Sequence, residues 1–193
     1  MRTCIVTCAM LLVLCTFSMG GQPVSNTEKR QVRASAFDLL SEYENISAFY
    51  SENDARSMLR LFGENNSAPV YMDMLGSPYI RKTVTIKQYL DYIKENGIHP
   101  FFNMRILSVG EVKKEGQQYR MDVRFQKSIS YFDKYETYFS TAEYYGSETI
   151  LTMTIACGSG GRNCIIERID GTIDSSTPDL PEKFFGRYFP LHY

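Results

Sequence analysis

The stretch Tyr119-Arg-Met-Asp-Val-Arg-Phe125 decides the fold, because apolar and polar residues alternate along it without a break. Successive side chains of a β-strand point to opposite faces of the sheet. The pattern therefore predicts a strand that turns four apolar side chains towards a core and its charged ones towards water, as antiparallel strands do. Residues 102–106 alternate in the same way, and 114–117 between the two runs favour a hairpin turn.

A second hairpin is predicted further along the chain. The runs 149–156 and 164–173 suit two strands, and the glycine-rich loop 158–163 joins them. A shorter strand is predicted upstream at 69–74.

Three helices are predicted before the long strands, because apolar residues there recur at helical spacing. The first begins at Ala34; the second follows Ser51 as its cap and ends at Gly63. In the third, Thr85 and Gln88 form a capping-box pair. The apolar stripes expected to be buried are Phe37, Leu40, Tyr43 and Ile46; Ala55, Met58, Leu59 and Phe62; and Ile86, Tyr89, Leu90 and Ile93. This order predicts an α+β fold in which a layer of N-terminal helices packs on a curved antiparallel sheet.

The first 20 residues have the features of a signal peptide. An apolar run of 14 residues, Cys4 to Phe17, follows a single positive charge and is too short to span a bilayer comfortably. Small residues place cleavage near Gly20, so the mature protein is expected to be secreted or periplasmic. A lipid anchor at Cys15 is the rival interpretation, which the large Leu14 disfavours. No later stretch of the sequence is apolar enough to span a membrane.

The mature chain divides into three predicted parts. Residues 21–33 are expected to be a flexible linker, 34–175 one α+β domain, and 176–193 an aromatic, irregular tail that docks. Without the leader, 20 basic residues face 22 acidic ones, so no basic surface for nucleic acid is expected.

Cys157 and Cys164 bracket the glycine-rich loop and are expected to form a disulfide in an oxidising compartment. A metal site would need more ligands, and His99 and His192 are far away in sequence. A catalytic redox pair usually has two residues between its cysteines, not six. No metal and no cofactor is therefore expected.

Tyr71 and Asp73 are the one acid–base possibility, since on a strand they share a face. In an apolar pocket the carboxylate would lose its hydration and its pKa would rise, as in a general base. The alternative, which we favour, is that Tyr71 packs in the core while Asp73 lies in solvent or caps a turn. No catalytic residue is assigned.

Aromatic residues are dense in two segments. Residues 131–145 hold seven rings, interleaved with charged residues, and 184–193 hold five more. Tyrosines among polar residues suit a contact surface for a protein or a glycan, and the alternative is that the rings fill the core. The candidates for this surface are Tyr138, Phe139, Tyr144 and Tyr145.

The order of elements resembles that of the nuclear-transport-factor-two-like superfamily, and more narrowly its secreted members in bacterial envelopes. The likeness covers roughly 34–175 and is carried by 50–55 with Phe62, 70–74, 85–93, 119–125 and 149–173. It implies a cone, in which a strongly bent sheet wraps around one long helix.

One cone hosts isomerases, cyclases, dehydratases and pure binding modules. Isomerase-like members point a tyrosine and carboxylates into the cone, for which only Tyr71 and Asp73 are candidates here. Dehydratase-like members use a His–Asp pair, and no histidine here lies on a predicted core strand. The sequence therefore favours a secreted, non-catalytic module that binds a protein or glycan through its aromatic segment and tail. The alternative is a small-ligand-binding protein or an isomerase- or cyclase-type enzyme that uses the cone cavity. The sequence does not specify an oligomeric state.

Overall fold

A computed structural model describes residues 23–48, 52–74, 81–95, 100–131 and 145–171 of the protein. Within these ranges it has three helices and seven strands. The helices are α1 (Asn26–Ala48), α2 (Glu52–Leu61) and α3 (Ile86–Glu95). The strands are β1 (Pro69–Tyr71), β2 (Thr83–Thr85), β3 (Pro100–Val109), β4 (Lys113–Glu115), β5 (Gln118–Tyr131), β6 (Tyr145–Cys157) and β7 (Ile165–Gly171).

The strands form one curved, unclosed sheet in the order β2-β1-β7-β6-β5-β3, with β4 also paired to β5. All pairs are antiparallel except β1 with β7. The pairing shifts at Leu107 in β3 and at Glu167 in β7, and such bulges bend a sheet. The predicted α+β class is thus confirmed as an N-terminal helix with a curved sheet.

Strand β5 shows the predicted alternation. Its inward side chains are Tyr119, Met121, Val123 and Phe125, which are all buried, while Asp122 and Arg124 are exposed. The alternation then continues to a charged residue, because Lys127 lies on the buried face and is only 2% exposed.

Helix α3 also forms as predicted. The backbone N–H of Thr85 donates to the Gln88 side chain at 3.0 Å, and the N–H of Gln88 donates to the Thr85 hydroxyl at 3.2 Å. Its predicted apolar stripe is buried. In α2, Met58 and Phe62 are buried, and the other two residues of the stripe pack against the core.

The predicted beginning of the first helix at Ala34 is wrong, because α1 begins at Asn26. Residues 26–33 are therefore helix rather than flexible linker. The cause is a capping box: Ser25 N–H donates to Glu28 at 2.9 Å, and Glu28 N–H donates to the Ser25 hydroxyl at 3.2 Å. Val32, in the same turns, is fully buried.

The predicted stripe of α1 is only partly right. Leu40 and Tyr43 are buried and Ile46 is partly buried, but Phe37 is 42% exposed. The buried face of α1 instead includes Val32, Ala36 and Leu39, which the predicted stripe left out. Phe37 is left at the margin of the core.

Candidate functional site

Four polar side chains from four elements meet inside the core. They are Tyr43 of α1, Asp73 just after β1, Tyr89 of α3 and Lys127 of β5, and we call them the core quartet. Each is at most 5% exposed. Tyr43, Tyr89 and Lys127 lie on the buried faces of their elements, and Asp73 lies in the buried segment after β1, so the packing that hides the apolar neighbours also brings the polar groups together.

The ammonium of Lys127 lies close to three side-chain oxygens. Its Nζ lies 2.9 Å from Asp73 Oδ2 as an ion pair, 3.0 Å from Tyr89 Oη and 3.4 Å from Tyr43 Oη. The Tyr89 hydroxyl in turn donates to Asp73 Oδ1 at 3.1 Å. Asp73 Oδ2 is held by the ion pair with Lys127 and has no hydrogen-bond donor among the described residues.

Electrostatics keep Lys127 charged. Burial on its own would lower the pKa of Lys127, but the attraction of Asp73 and the neighbouring Tyr43 outweighs burial, and the pKa lies above its ordinary value. Burial raises the pKa of Tyr43, with Lys127 opposing. A buried tyrosine that keeps its proton can accept from the ammonium, and Ser47 lies within hydrogen-bonding reach of the same hydroxyl.

The favoured sequence interpretation of Asp73, in solvent or capping a turn, is wrong. The side chain is 3% exposed and is held by Lys127 and Tyr89. The strand is also shorter than predicted, since β1 ends at Tyr71. All five residues of 70–74 are buried, so this segment has no face in solvent. A carboxylate neutralised by a lysine at 2.9 Å is poorly suited to act as a general base.

Tyr71 packs in the core, as expected for the favoured alternative. Its ring lies against Gly171 of β7, where a Cβ would come within 2.3 Å of the ring. Burial raises the pKa of Tyr71, with Arg81 opposing. Tyr71 and Asp73 are thus both buried, but the contacts of the carboxylate are to Lys127 and Tyr89.

Cys157 and Cys164 form the predicted disulfide, with sulfur atoms 1.97 Å apart. The loop that they close contains a single 3₁₀ turn, Ser159–Gly161, and this turn rests on α1. Gly161 is the contact point, because a Cβ there would lie 2.8 Å from the Val32 side chain. The disulfide loop therefore braces the first turns of α1.

A second contact holds the same end of α1. Glu28 accepts from the Tyr119 hydroxyl at 2.5 Å and from Lys114 at 3.2 Å. The hydrogen bond from Tyr119, and after it those from Ser25, lower the pKa of Glu28 to about 2.

The outward face of the sheet carries charged pairs. Arg120 contacts Glu115 and, at 2.9 Å, Glu167, while the Thr154 hydroxyl donates to Asp122 at 2.7 Å.

Several predicted sites lie outside the described residues. They are the signal peptide and Cys15, Tyr138, Phe139, Tyr144 and the tail 176–193. Tyr145 begins β6, opposite Tyr131. In the parts of the chain that the structure describes, no group of three or more His, Cys, Asp or Glu could hold a metal ion. Over the same ranges, no helix is long and apolar enough to cross a membrane.

Sequence reasoning missed Lys127, the centre of the quartet. A signal was available, since extending the 119–125 alternation by one step places a lysine on the apolar face. Its partner Asp73 lies 54 residues earlier, so no local pattern links the two.

Comparisons with known proteins give a fold but no family. No family model matches the chain, and no curated protein is significantly similar to it. The crystal structure of the Kfla4162 protein from Kribbella flavida is similar over 74% of this chain and 90% of its own, at 12% identity and a TM-score of 0.50. The intermembrane space region of the chloroplast protein ARC6 is similar over 77% of this chain and 98% of its own, at 11% identity and a TM-score of 0.42. The first likeness supports the α+β architecture alone, and the second is too low to support an argument.

Proposed function

We propose that the protein is a secreted, non-catalytic binding module of a bacterial cell envelope, which recognises a protein or glycan partner. One observation carries the proposal: Asp73, the carboxylate of the acid–base pair that the sequence suggests, is buried and ion-paired in the core. Its charge is neutralised by Lys127 at 2.9 Å. Groups that satisfy one another in the core stabilise a scaffold and are not free to bind or activate a substrate.

The finer points of fold and location belong to the same proposal. The helices beside a curved, bulged sheet are compatible with a cone of the nuclear-transport-factor-two-like kind. The disulfide fits a location outside the reducing cytoplasm, and the apolar leader would direct the chain there.

Recognition is assigned to the aromatic segment 131–145. It joins β5 to β6, the two longest strands, so its ends are held by the most extensive pairing in the sheet. Rigid support for a tyrosine-rich segment lowers the entropy lost when a partner binds.

The test measures retention of the full mature protein on washed envelopes of its host, for the parent and two variants. The binding variant is Tyr138→Ser, Phe139→Ser and Tyr145→Ser together; the control is Arg105→Gln with Arg124→Gln, two exposed residues of the sheet. We expect the binding variant to lose at least tenfold of the retained protein, with an unchanged melting temperature, and the control to behave as the parent. Equal retention of all three would reject the aromatic segment as the contact surface.

The alternative function is a small-ligand-binding protein or an isomerase- or cyclase-type enzyme. It is favoured by the burial of Tyr71 close to Asp73, which raises the pKa of the phenol. A native mass spectrum of the protein recovered from its host distinguishes the two. An added small mass that disappears in Tyr71→Phe would favour the alternative, whereas a protein or glycan adduct would favour the module.

A further inference from the structure

Three large apolar side chains are exposed within the described residues. Phe37 is 42% exposed, Ile106 39% and Leu107 43%. Strand β3 is an edge strand in this part of the chain, since it pairs only with β5. Exposed apolar residues that cluster, rather than scatter, mark a surface that something covers.

Two contacts show that α1 runs antiparallel alongside β3, which brings Phe37 near Ile106 and Leu107; we call these three side chains the strip. Lys29 lies 3.6 Å from Glu111 at one end, and the backbone N–H of Met104 donates to Glu44 at 3.0 Å at the other. Phe37 precedes Glu44 by seven residues, which is two turns on the same helix face and about 10 Å. Along β3, about three residues span the same ~10 Å. Because Glu44 contacts Met104, Phe37 is expected beside the residue three positions further on, Leu107.

The strip also contains a buried donor. Arg33 lies one turn before Phe37, on the same face of α1. Its Nε is buried and has no hydrogen-bond acceptor among the described residues. A buried donor of this kind is costly unless an acceptor covers it, so the missing cover should carry an acceptor, preferably an acidic group.

The last described residue lies in line with this strip. Gly171 pairs with Leu151, Leu151 with Phe125, and Phe125 with Ile106, so these four form one row across the sheet. Three strand spacings separate Gly171 from Ile106, about 14 Å. The 22 residues that follow Gly171 can span several times that distance.

The sequence of those residues matches the strip. Three acidic residues, Asp174, Asp179 and Glu182, come before the five aromatic rings of 184–193. An aromatic segment suits the apolar strip, and the preceding carboxylates suit Arg33.

The other aromatic segment is worse placed. Its ends, Tyr131 and Tyr145, pair with each other, and Tyr131 also pairs with Pro100. Ile106 is six residues further along β3, about 20 Å away. A loop of 13 residues tied at both ends would reach that point only when fully stretched.

We propose that the strip of Phe37, Ile106 and Leu107 is the docking site of the chain's own C-terminal aromatic segment, residues 178–193. Arg33 provides the polar contact at one end. The aromatic rings extend the core past its open margin at β3 and cover this edge strand, which otherwise invites pairing with other chains. This inference does not rest on the proposed function, because the recognition segment 131–145 is a different part of the chain.

The direct test places photoreactive benzoylphenylalanine at position 107 of the full mature chain. The variant is irradiated as an equal mixture of isotopically light and heavy protein, and cross-linked peptides are identified by mass spectrometry. The expected product joins position 107 to 178–193 within one molecule. Cross-links to 132–144, cross-links between light and heavy chains, or no protein cross-link would each overturn the proposal. Benzoylphenylalanine at Arg124, on the outward face, is the control and should give no cross-link to 178–193.

A second test uses the trypsin sites at Lys183 and Arg187 within the segment. Docking should slow cleavage there, and Leu107→Asp should speed it about tenfold by weakening the apolar contact. Asn103→Asp adds the same charge at an exposed polar position of the same strand and should leave the rate unchanged. An equal rate in Leu107→Asp and the parent would also overturn the proposal.

Discussion

Replacing Lys127 with methionine should lower the free energy of unfolding by about 3–5 kcal/mol, the usual cost of removing one partner of a buried ion pair. The lysine side chain is 3% exposed and that of Asp73 is fully buried, so water cannot hydrate the carboxylate that is left. Methionine keeps most of the apolar stem, and therefore the loss reports the missing charge rather than a large cavity.

The magnitude follows from the contacts that disappear. Asp73 would keep only the 3.1 Å hydrogen bond from Tyr89, and the Tyr43 and Tyr89 hydroxyls would each lose a charged donor. Each hydrogen bond to a charged group contributes about 1.5–3 kcal/mol. The sum of these contributions would exceed the expected loss of about 3–5 kcal/mol. Partial relaxation of the Tyr43 and Tyr89 hydroxyls reduces the net loss.

A second change should recover most of the loss. With Asp73→Asn added to Lys127→Met, no buried charge remains, and the Tyr89 hydroxyl can still donate to the amide oxygen. We expect the free energy of unfolding of the double variant to be about 2–3 kcal/mol higher than the sum of the two single effects would give. The coupling should be far smaller for the exposed pair of Lys87 and Asp91, which are 2.6 Å apart on α3.

The assay is urea unfolding followed by circular dichroism, with the slope compared between variants so that a changed denatured state is recognised. Arg124→Met is the control, because it replaces a basic residue on the exposed face of the same strand and should change stability by no more than about 0.5 kcal/mol. Losses below 1 kcal/mol in both single variants, with additive effects, would show that the pair is hydrated and that the quartet does not stabilise the core.

Three further predictions concern the brace on α1. Gly161→Ala should cost about 1–3 kcal/mol in unfolding experiments, since its Cβ would press on Val32, whereas Gly160→Ala, with a similar positive φ but open space, should cost about 1 kcal/mol. Because the pKa of Glu28 falls from 4.5 to about 2 on folding, its contribution is present above pH 4.5 and lost as the pH falls through 2; Glu28→Gln should therefore flatten the acid limb of melting temperature against pH. Reducing the disulfide should lower stability by about 2.5 kcal/mol on the chain-entropy model and speed hydrogen exchange in the first turns of α1, which an unchanged melt and exchange rate would contradict.

Local patterns predicted the parts of this fold that local physics determines. The alternation over 119–125 and the capping box of α3 involve neighbours a few residues apart, and both appear as predicted. The sequence pattern places the beginning of α1 too late, because the residues of its first turns are mostly polar, although its capping box, Ser25 with Glu28, is equally local. Distant groups, Tyr119 and the disulfide loop, also contact these turns, and no local pattern shows such contacts.

The quartet could not be predicted as a site, because its members come from four separate elements. Asp73 was identified as the acid–base candidate, but the partner that decides its chemistry is Lys127, and only the sheet topology brings them together. Neither residue type is expected in a core unless it is paired. A lone charged residue in an apolar alternation therefore predicts a buried partner, without saying which residue it is.

The quartet also bears on why the fold adopts one arrangement. It joins α1, the segment after β1, α3 and β5, and the three contacts of the ammonium, at 2.9–3.4 Å, form only when all four segments are in place. Apolar side chains can shift against one another with little change in free energy. A buried ion pair raises the free energy of any arrangement in which its two groups are separated. Well-packed apolar substitutes for such a pair often match or exceed its stability. We therefore expect the variant with Asp73→Leu and Lys127→Met to be about as stable as the parent. Its helix α3 should occupy more than one position, which would broaden the side-chain resonances of Tyr89 in nuclear magnetic resonance spectra. Sharp, single resonances in that variant would mean that apolar packing alone specifies the arrangement.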